Sequence, residues 1–438
     1  MASLLLPERP KSMPETLAMP ETTATLKRAP LLERLKTFAG FATAEASLDA
    51  PRAGRDARLD MFRGLALVMI FINHVPGTFY ENLTSRNFGF SDAAEAFVFM
   101  SGLAAGLAYS GRFVSGPLWP AIAKVWARAR QLYFVHLSIT MIALAIFAGA
   151  AWWFGLDEVL EKNNIAAIFG FPLQTMIGLP LLTHQLGYLN ILPLYMTLLL
   201  ATPLVIVLGL RWPVQTMLGS ILVWALAGQF RINLPNFPTQ GGWFFNPFSW
   251  QILFVIGLLS GMAMKQGRRF VPKSPVLFGL AAAFLLFVLL WMKVPPLGDL
   301  GRQGLGFLSK LGLPFYVTWF DKTFLALPRL LHALALFYVV ASLGVMVRIA
   351  ESPLMTPLRL MGRQGLAVFA TGTVLSLFLQ AVKTGVEGGL LLDSLLLGTG
   401  LLVLVGLAYV LTRTQEMTRA ASRPAGRHNS HISESNHN

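Results

Sequence analysis

Ten stretches of this chain are apolar over about the length a helix needs to cross a bilayer. They lie near residues 60–79, 91–110, 131–154, 186–209, 213–230, 247–264, 275–294, 327–347, 364–382 and 390–411. Composition points the same way, with 55% hydrophobic and only 13% charged residues and a mean hydropathy of +0.59. The expected fold is all-α, a polytopic integral membrane helix bundle of about ten transmembrane helices.

A formal charge of +14 invites a nucleic-acid partner, but the positions of the basic residues describe membrane orientation instead. They gather ahead of the first span (Arg52, Arg55, Arg58), in alternate loops (Arg128, Arg130, Arg268, Arg269) and after the last span (Arg413, Arg419). An even number of spans with both termini cytoplasmic satisfies this pattern, and the lipid bilayer is the partner it implies. With no cysteine in the chain, there is no disulfide framework, thiol nucleophile or thiolate metal site. No metal centre is expected. Residues 1–57 lack a sustained apolar core and any uninterrupted signal-type segment. They are expected to form a disordered cytoplasmic tail with one short helix at LLERLKTFAGFA. Residues 58–412 form the membrane domain, and residues 413–438 a second disordered tail whose histidines are solvated rather than metal-binding. No internal repeat is evident, and the oligomeric state is open.

Ionisable groups at membrane depth are costly and mark function by default. RLDMFRGLALVMIFINH, residues 58–74, carries Arg63 and His74 eleven positions apart, and eleven steps of about 100° return a helix to within roughly 20° of one face. Counting the helical rise places His74 roughly 7 Å below the outer boundary. The next span enters through SDAAEAFVFMSG, with Asp92 at the rim and Glu95 one turn deeper, level with His74. Further spans bring His184, Tyr188, Asn190 and Tyr195, then Asn246, Trp250 and Gln251, then Arg329 and His332, into the same outer layer. Plainer readings compete at several positions. Ser91 is expected to cap the second helix and Asp92 could equally do so, whereas Glu95 lies too deep. His136 reads as a packed core histidine. The run SGLAAGLA reads as a close-packing seam rather than a phosphate loop. On the inner side, Asp60 could neutralise Arg63, yet Arg58, Arg63, Arg128 and Arg130 together form a basic mouth suited to phosphates. Lys124 is better read as orientation charge.

RLDMFRGLALVMIFINH followed by SDAAEAFVFMSG resembles the OpgC family of membrane acyltransferases, implicated in adding succinyl groups to osmoregulated periplasmic glucans. FNPFSWQILFVIG, DKTFLALPRLLHALAL and RLMGRQGLAVF resemble further blocks of that family in matching order, so the resemblance covers about residues 55–412. The Arg63 and His74 pair is similar to the arginine-histidine motif of the acyltransferase-3 family. FRGLALVMIFIN resembles the first span of the heparan glucosaminide acetyltransferase relatives, where an asparagine matching Asn73 contributes to the site. Those relatives carry their catalytic histidine in the following loop. Here no histidine lies between Val75 and Ser91, which leaves His74 as the substitute.

The resemblance implies a multi-pass acyltransferase of the bacterial inner (cytoplasmic) membrane with no permanently bound cofactor. The donor would be acyl-CoA, expected to be succinyl-CoA, anchored on Arg58, Arg63, Arg128 and Arg130, and the acceptor a periplasmic glucan. His74 would act as general base or transient acyl carrier, oriented by Asp92 or Glu95. Asn73, Asn190, Tyr195, Asn246, Trp250, Gln251, Arg329 and His332 would hold the acyl group or the glucan. A reading from another class is a secondary transporter or lipid-linked sugar flippase, with His74, Arg63 and Glu95 as a proton relay.

Overall fold

The computed structural model describes residues 56–422. The short helix expected at LLERLKTFAGFA lies outside the described residues. Among those described the secondary structure is helical, with one isolated β-bridge between Pro235 and Gly242.

All ten expected spans fall on helices. The first five regions are α1 (Ala57–Asn73), α2 (Ala93–Ser115), α3 (Leu118–Phe154), α4 (Ile191–Arg211) and α5 (Pro213–Gln229). Then come α6 (Pro247–Lys265), α7 (Pro275–Lys293), the exposed α8 (Pro295–Lys310) and the pair α9 (Leu327–Ser342) and α10 (Val345–Glu351). The chain ends with α11 (Thr356–Arg363), α12 (Gly365–Gly385) and α13 (Leu390–Ala421).

The number of spans supported by length and composition is seven, or eight if α9 and α10 make one bent span, against the ten expected. Three regions account for the difference. α1 has 17 residues, about 25 Å of rise, because Pro76 disfavours helix at the residue before it and Gly77 then turns the chain at φ +79°. α5 is likewise 17 residues long. The region expected as one span at 327–347 is broken at Leu343 and Gly344, where α9 and α10 meet at 81°. At the carboxyl end, the helix expected to stop near residue 412 continues to Ala421.

The crossing of α2 and α6 fixes the floor of the site. Gly102 and Gly106 on α2 face the Phe254 and Leu258 carbonyls, and Gly257 and Gly261 on α6 face the Phe99 and Leu103 carbonyls. A Cβ at any of the four would collide with backbone. The SGLAAGLA run is thus the packing seam that its small residues suggest. Gly257→Leu is expected to destabilise the detergent-purified protein by at least about 1–3 kcal/mol, the cost of overpacking a filled interior. The checking measurement is the thermal unfolding midpoint. The core beside this seam contains the fully buried Phe71, Trp250 and Phe254.

Candidate active site at the end of the first helix

His74 closes α1 as its C-cap residue, its N–H bonding the Ile70 carbonyl at 2.9 Å. Its own carbonyl accepts a 2.6 Å bond from Gln380 Nε2 on α12. The backbone is therefore held from both sides, and the imidazole is not. Its Nδ1 is buried without a hydrogen-bond partner, and the ring packs 4.8 Å from that of Tyr188 at a tilt of 58°. Tyr188 itself sits at φ +67°, an unusual conformation for a bulky residue and one that tends to persist at functional sites. Asn73, next to His74, is tied to the following loop through Thr84 Oγ1 at 2.8 Å. That loop is pinned farther on, where Asp393 accepts from Lys383 at 2.7 Å and from the Phe79 N–H at 3.2 Å.

Beside the histidine lies a four-charge cluster. Asp92 Oδ2 accepts from Lys322 Nζ at 2.5 Å and from Arg329 at 3.4 Å. Glu95 Oε1, fully buried, accepts two bonds from Arg329, from Nε at 2.9 Å and from a terminal nitrogen at 2.5 Å. Lys322 and Asp92 lie within electrostatic reach of His74. Two carboxylates and two cations neutralise one another here, which is the condition under which charges are tolerated away from water.

The same two carboxylates begin α2. Asp92 Oδ1 accepts from Ala94 N at 2.8 Å and Glu95 Oε2 accepts from Asp92 N at 2.9 Å, a reciprocal capping box. Depth does not prevent Glu95 from capping, as it was expected to, because it is the third helical residue reaching back to the cap. Ser91 is not the cap. Its hydroxyl pairs with His332 Nδ1 at 2.7 Å, and its N–H donates to the same nitrogen at 3.3 Å. Asp, two residues, then Glu is the sequence signature of that box and was legible in SDAAE.

The remaining candidates separate into groups. Trp250 is fully buried and donates from Nε1 to the Lys322 carbonyl at 2.8 Å, so it supports Lys322 from behind. Asn246 caps α6 through Phe248 N at 3.0 Å and holds the Ile232 carbonyl at 2.7 Å. Gln251 bonds Ser220 at 2.7 and 2.8 Å. Each has its hydrogen-bonding capacity engaged within the protein, none with His74. Tyr195 is not beside His74 either: its hydroxyl faces Ser101 and the guanidinium groups of Arg128 and Arg63. Of the basic mouth, Arg128 turns inward toward this tyrosine while bonding Gln131 at 2.6 Å. Arg63 lies 3.9 Å from Asp60 and 3.4 Å from the Gly362 carbonyl. Arg58 pairs with Asp56 at 2.7 Å, and Arg130 is exposed on another side of α3. His136, read as a packed core residue, is buried.

Asn190 lines a separate cavity of about 220 Å³ with Asn164, His184, Asn236, Phe244 and Thr323 among its walls. It adjoins the cluster, since Thr323 follows Lys322 in the chain and Lys322 Nζ is 5.9 Å from the Phe244 ring centre. Lys322, Gln380 and this cavity were not among the candidates read from the sequence. Lys322 sits in DKTF between helices, where a lone lysine reads as an interface charge. Gln380 and the cavity's asparagines come together only through long-range contacts that no local pattern carries.

Comparison with known proteins gives one match. The family model described as OpgC protein matches residues 55–416. No curated protein matches the chain, and no solved structure does. A model spanning the membrane helices, the His74 loop and the charged cluster together covers most of the sequence, and the chain belongs to the OpgC family.

Proposed function

We propose that this protein transfers a succinyl group from cytoplasmic acyl-CoA to a hydroxyl of a periplasmic glucan, with His74 as the general base. Membership in the OpgC family supports a transferase acting in glucan modification, and the long apolar helices support a multi-pass membrane protein. The observation that carries the assignment of the base is the His74 imidazole, whose buried Nδ1 has no hydrogen-bond partner among the described residues although the Lys322 and Asp92 charges reach it.

In this reading the glucan hydroxyl oxygen attacks the thioester carbonyl carbon as its proton passes to His74. The negative charge on the former carbonyl oxygen is stabilised by Lys322, the cation whose charge reaches His74. The C–S bond then breaks, and the CoA sulfur takes the proton back from His74. An ester on the glucan and free CoA result. Arg63 and Arg128, whose charges both reach the Tyr195 hydroxyl, would line the donor path on the cytoplasmic side. Arg58 contributes less than the sequence suggests, because its fork is already occupied by Asp56.

The test is to incubate the purified protein with succinyl-CoA and glucan and assay the glucan for alkali-labile succinyl esters. Ester formation is expected, and its absence with an intact, folded protein would reject the transfer reading. A second expected result concerns the donor path. Arg63→Ala should raise the KM for acyl-CoA more than it lowers kcat, and a fall in kcat alone would assign Arg63 to the chemistry or to the fold.

A further inference from the structure

The cavity of about 220 Å³ beside the charged cluster has walls rich in uncharged hydrogen-bonding groups, with no Asp, Glu, Lys or Arg among the described residues that line it. Three asparagines give it a particular chemistry. Asn164 donates its amide N–H to the Gln185 carbonyl at 3.1 Å, Asn190 to Gln185 Oε1 at 3.2 Å and Asn236 to the Gly242 carbonyl at 2.8 Å. Each of those partners accepts only, so the amide orientation is fixed by the bonds themselves. The side-chain carbonyl oxygen of each asparagine accepts no hydrogen bond from the described residues. Three oriented acceptors around one space match a ligand that presents several hydroxyl donors.

The other walls fit the same ligand. The Phe244 ring is 47% exposed, offering an apolar face for the C–H surface of a sugar. Leu182, just before the wall residues Thr183 and His184, is held at φ +62°, a left-handed conformation that a bulky side chain seldom adopts. Such strain persists where the surrounding structure over-determines it. The volume is below the roughly 300–1,000 Å³ of sites for drug-sized molecules, which suits one ring rather than an oligosaccharide.

We infer that this cavity is the acceptor subsite, seating one uncharged sugar ring whose hydroxyls donate to the Asn164, Asn190 and Asn236 carbonyl oxygens. This rests on the acyl-transfer reading above and deepens it. Lys322, with Nζ 5.9 Å from the Phe244 ring centre, is the member of the charged cluster toward which the ring's free hydroxyl would be presented.

The test uses the full chain in detergent, titrated calorimetrically with a short linear gluco-oligosaccharide and with its uronic-acid counterpart. The neutral sugar is expected to bind at least about tenfold more tightly, because a carboxylate has no proton to give the three asparagine oxygens. Equal or tighter binding of the uronic acid would overturn the assignment without any variant being made. Asn190→Ala combined with Asn236→Ala is expected to weaken neutral-sugar binding by about tenfold or more, two hydrogen bonds being removed. It should also raise the acceptor KM more than the donor KM. Acceptor KM and sugar affinity equal to wild type, with succinyl transfer intact, would overturn the subsite and leave the transferase standing. Wild-type protein that binds the sugar with this dependence and transfers nothing would support the subsite and reject the transferase.

Discussion

His74→Ala is expected to lower succinyl transfer by about 10²–10⁴-fold, the usual worth of a positioned general base, while the protein remains folded. The structure separates the two effects. What α1 needs from this position is the backbone, whose N–H bonds Ile70 and whose carbonyl accepts from Gln380, and alanine preserves both. The imidazole makes no hydrogen bond through Nδ1, so removing it orphans no buried partner there. What is lost is ring contact with Tyr188. Extraction yield, elution profile and unfolding midpoint should therefore stay close to wild type while transfer collapses. Activity equal to wild type would take His74 out of the mechanism.

The second large effect falls on stability. Arg329→Ala leaves the Glu95 carboxylate, fully buried, without the two bonds it accepts from that side chain. Breaking one side of a buried pair costs about 3–5 kcal/mol, because the remaining charge is uncompensated. Loss of the folded fraction during purification, or a much lower unfolding midpoint, is the expected result. Combining Arg329→Met with Glu95→Gln removes both charges and keeps an amide able to accept from Asp92 N, so stability should recover in large part. If the single variant is as stable as wild type, the cluster is not the tightly coupled unit that its distances indicate. Lys322→Met should cost less, since Lys322 is partly exposed and Asp92 keeps its contact with Arg329.

What could be read from sequence follows the physical range of each signal. Hydropathy located all ten helical regions, because an apolar run of membrane length is a local property. It overcounted the clear spans, because Pro76 and Gly77 shorten α1, α5 stops at 17 residues and the break before α10 bends its pair, all local events within runs that still average apolar. Depth put Glu95 level with His74 and Asp92 at the rim, and of these two carboxylates it is the Asp92 charge that reaches His74. The same arithmetic placed Tyr195 in that layer too, whereas its hydroxyl lies beside Arg128 and Ser101 and within reach of the Arg63 charge. Depth alone does not say which face of a helix a residue occupies or what packs there. Trp250, Asn246 and Gln251 show the complementary difficulty. A polar group in an apolar helix must find a hydrogen bond, and these three satisfy that need with Lys322, Ile232 and Ser220 in the protein itself. The pairing of Asp92 with Lys322, 230 positions away, carries no trace in either local sequence.

The most direct measurement is thioester cleavage by the purified protein with succinyl-CoA or acetyl-CoA, with and without glucan, beside the His74→Ala variant. The account predicts loss of succinyl-CoA that depends on both glucan and His74, with the succinyl group recovered on the glucan. Cleavage that ignores His74, or glucan carried across a vesicle membrane with both thioesters untouched, would contradict it.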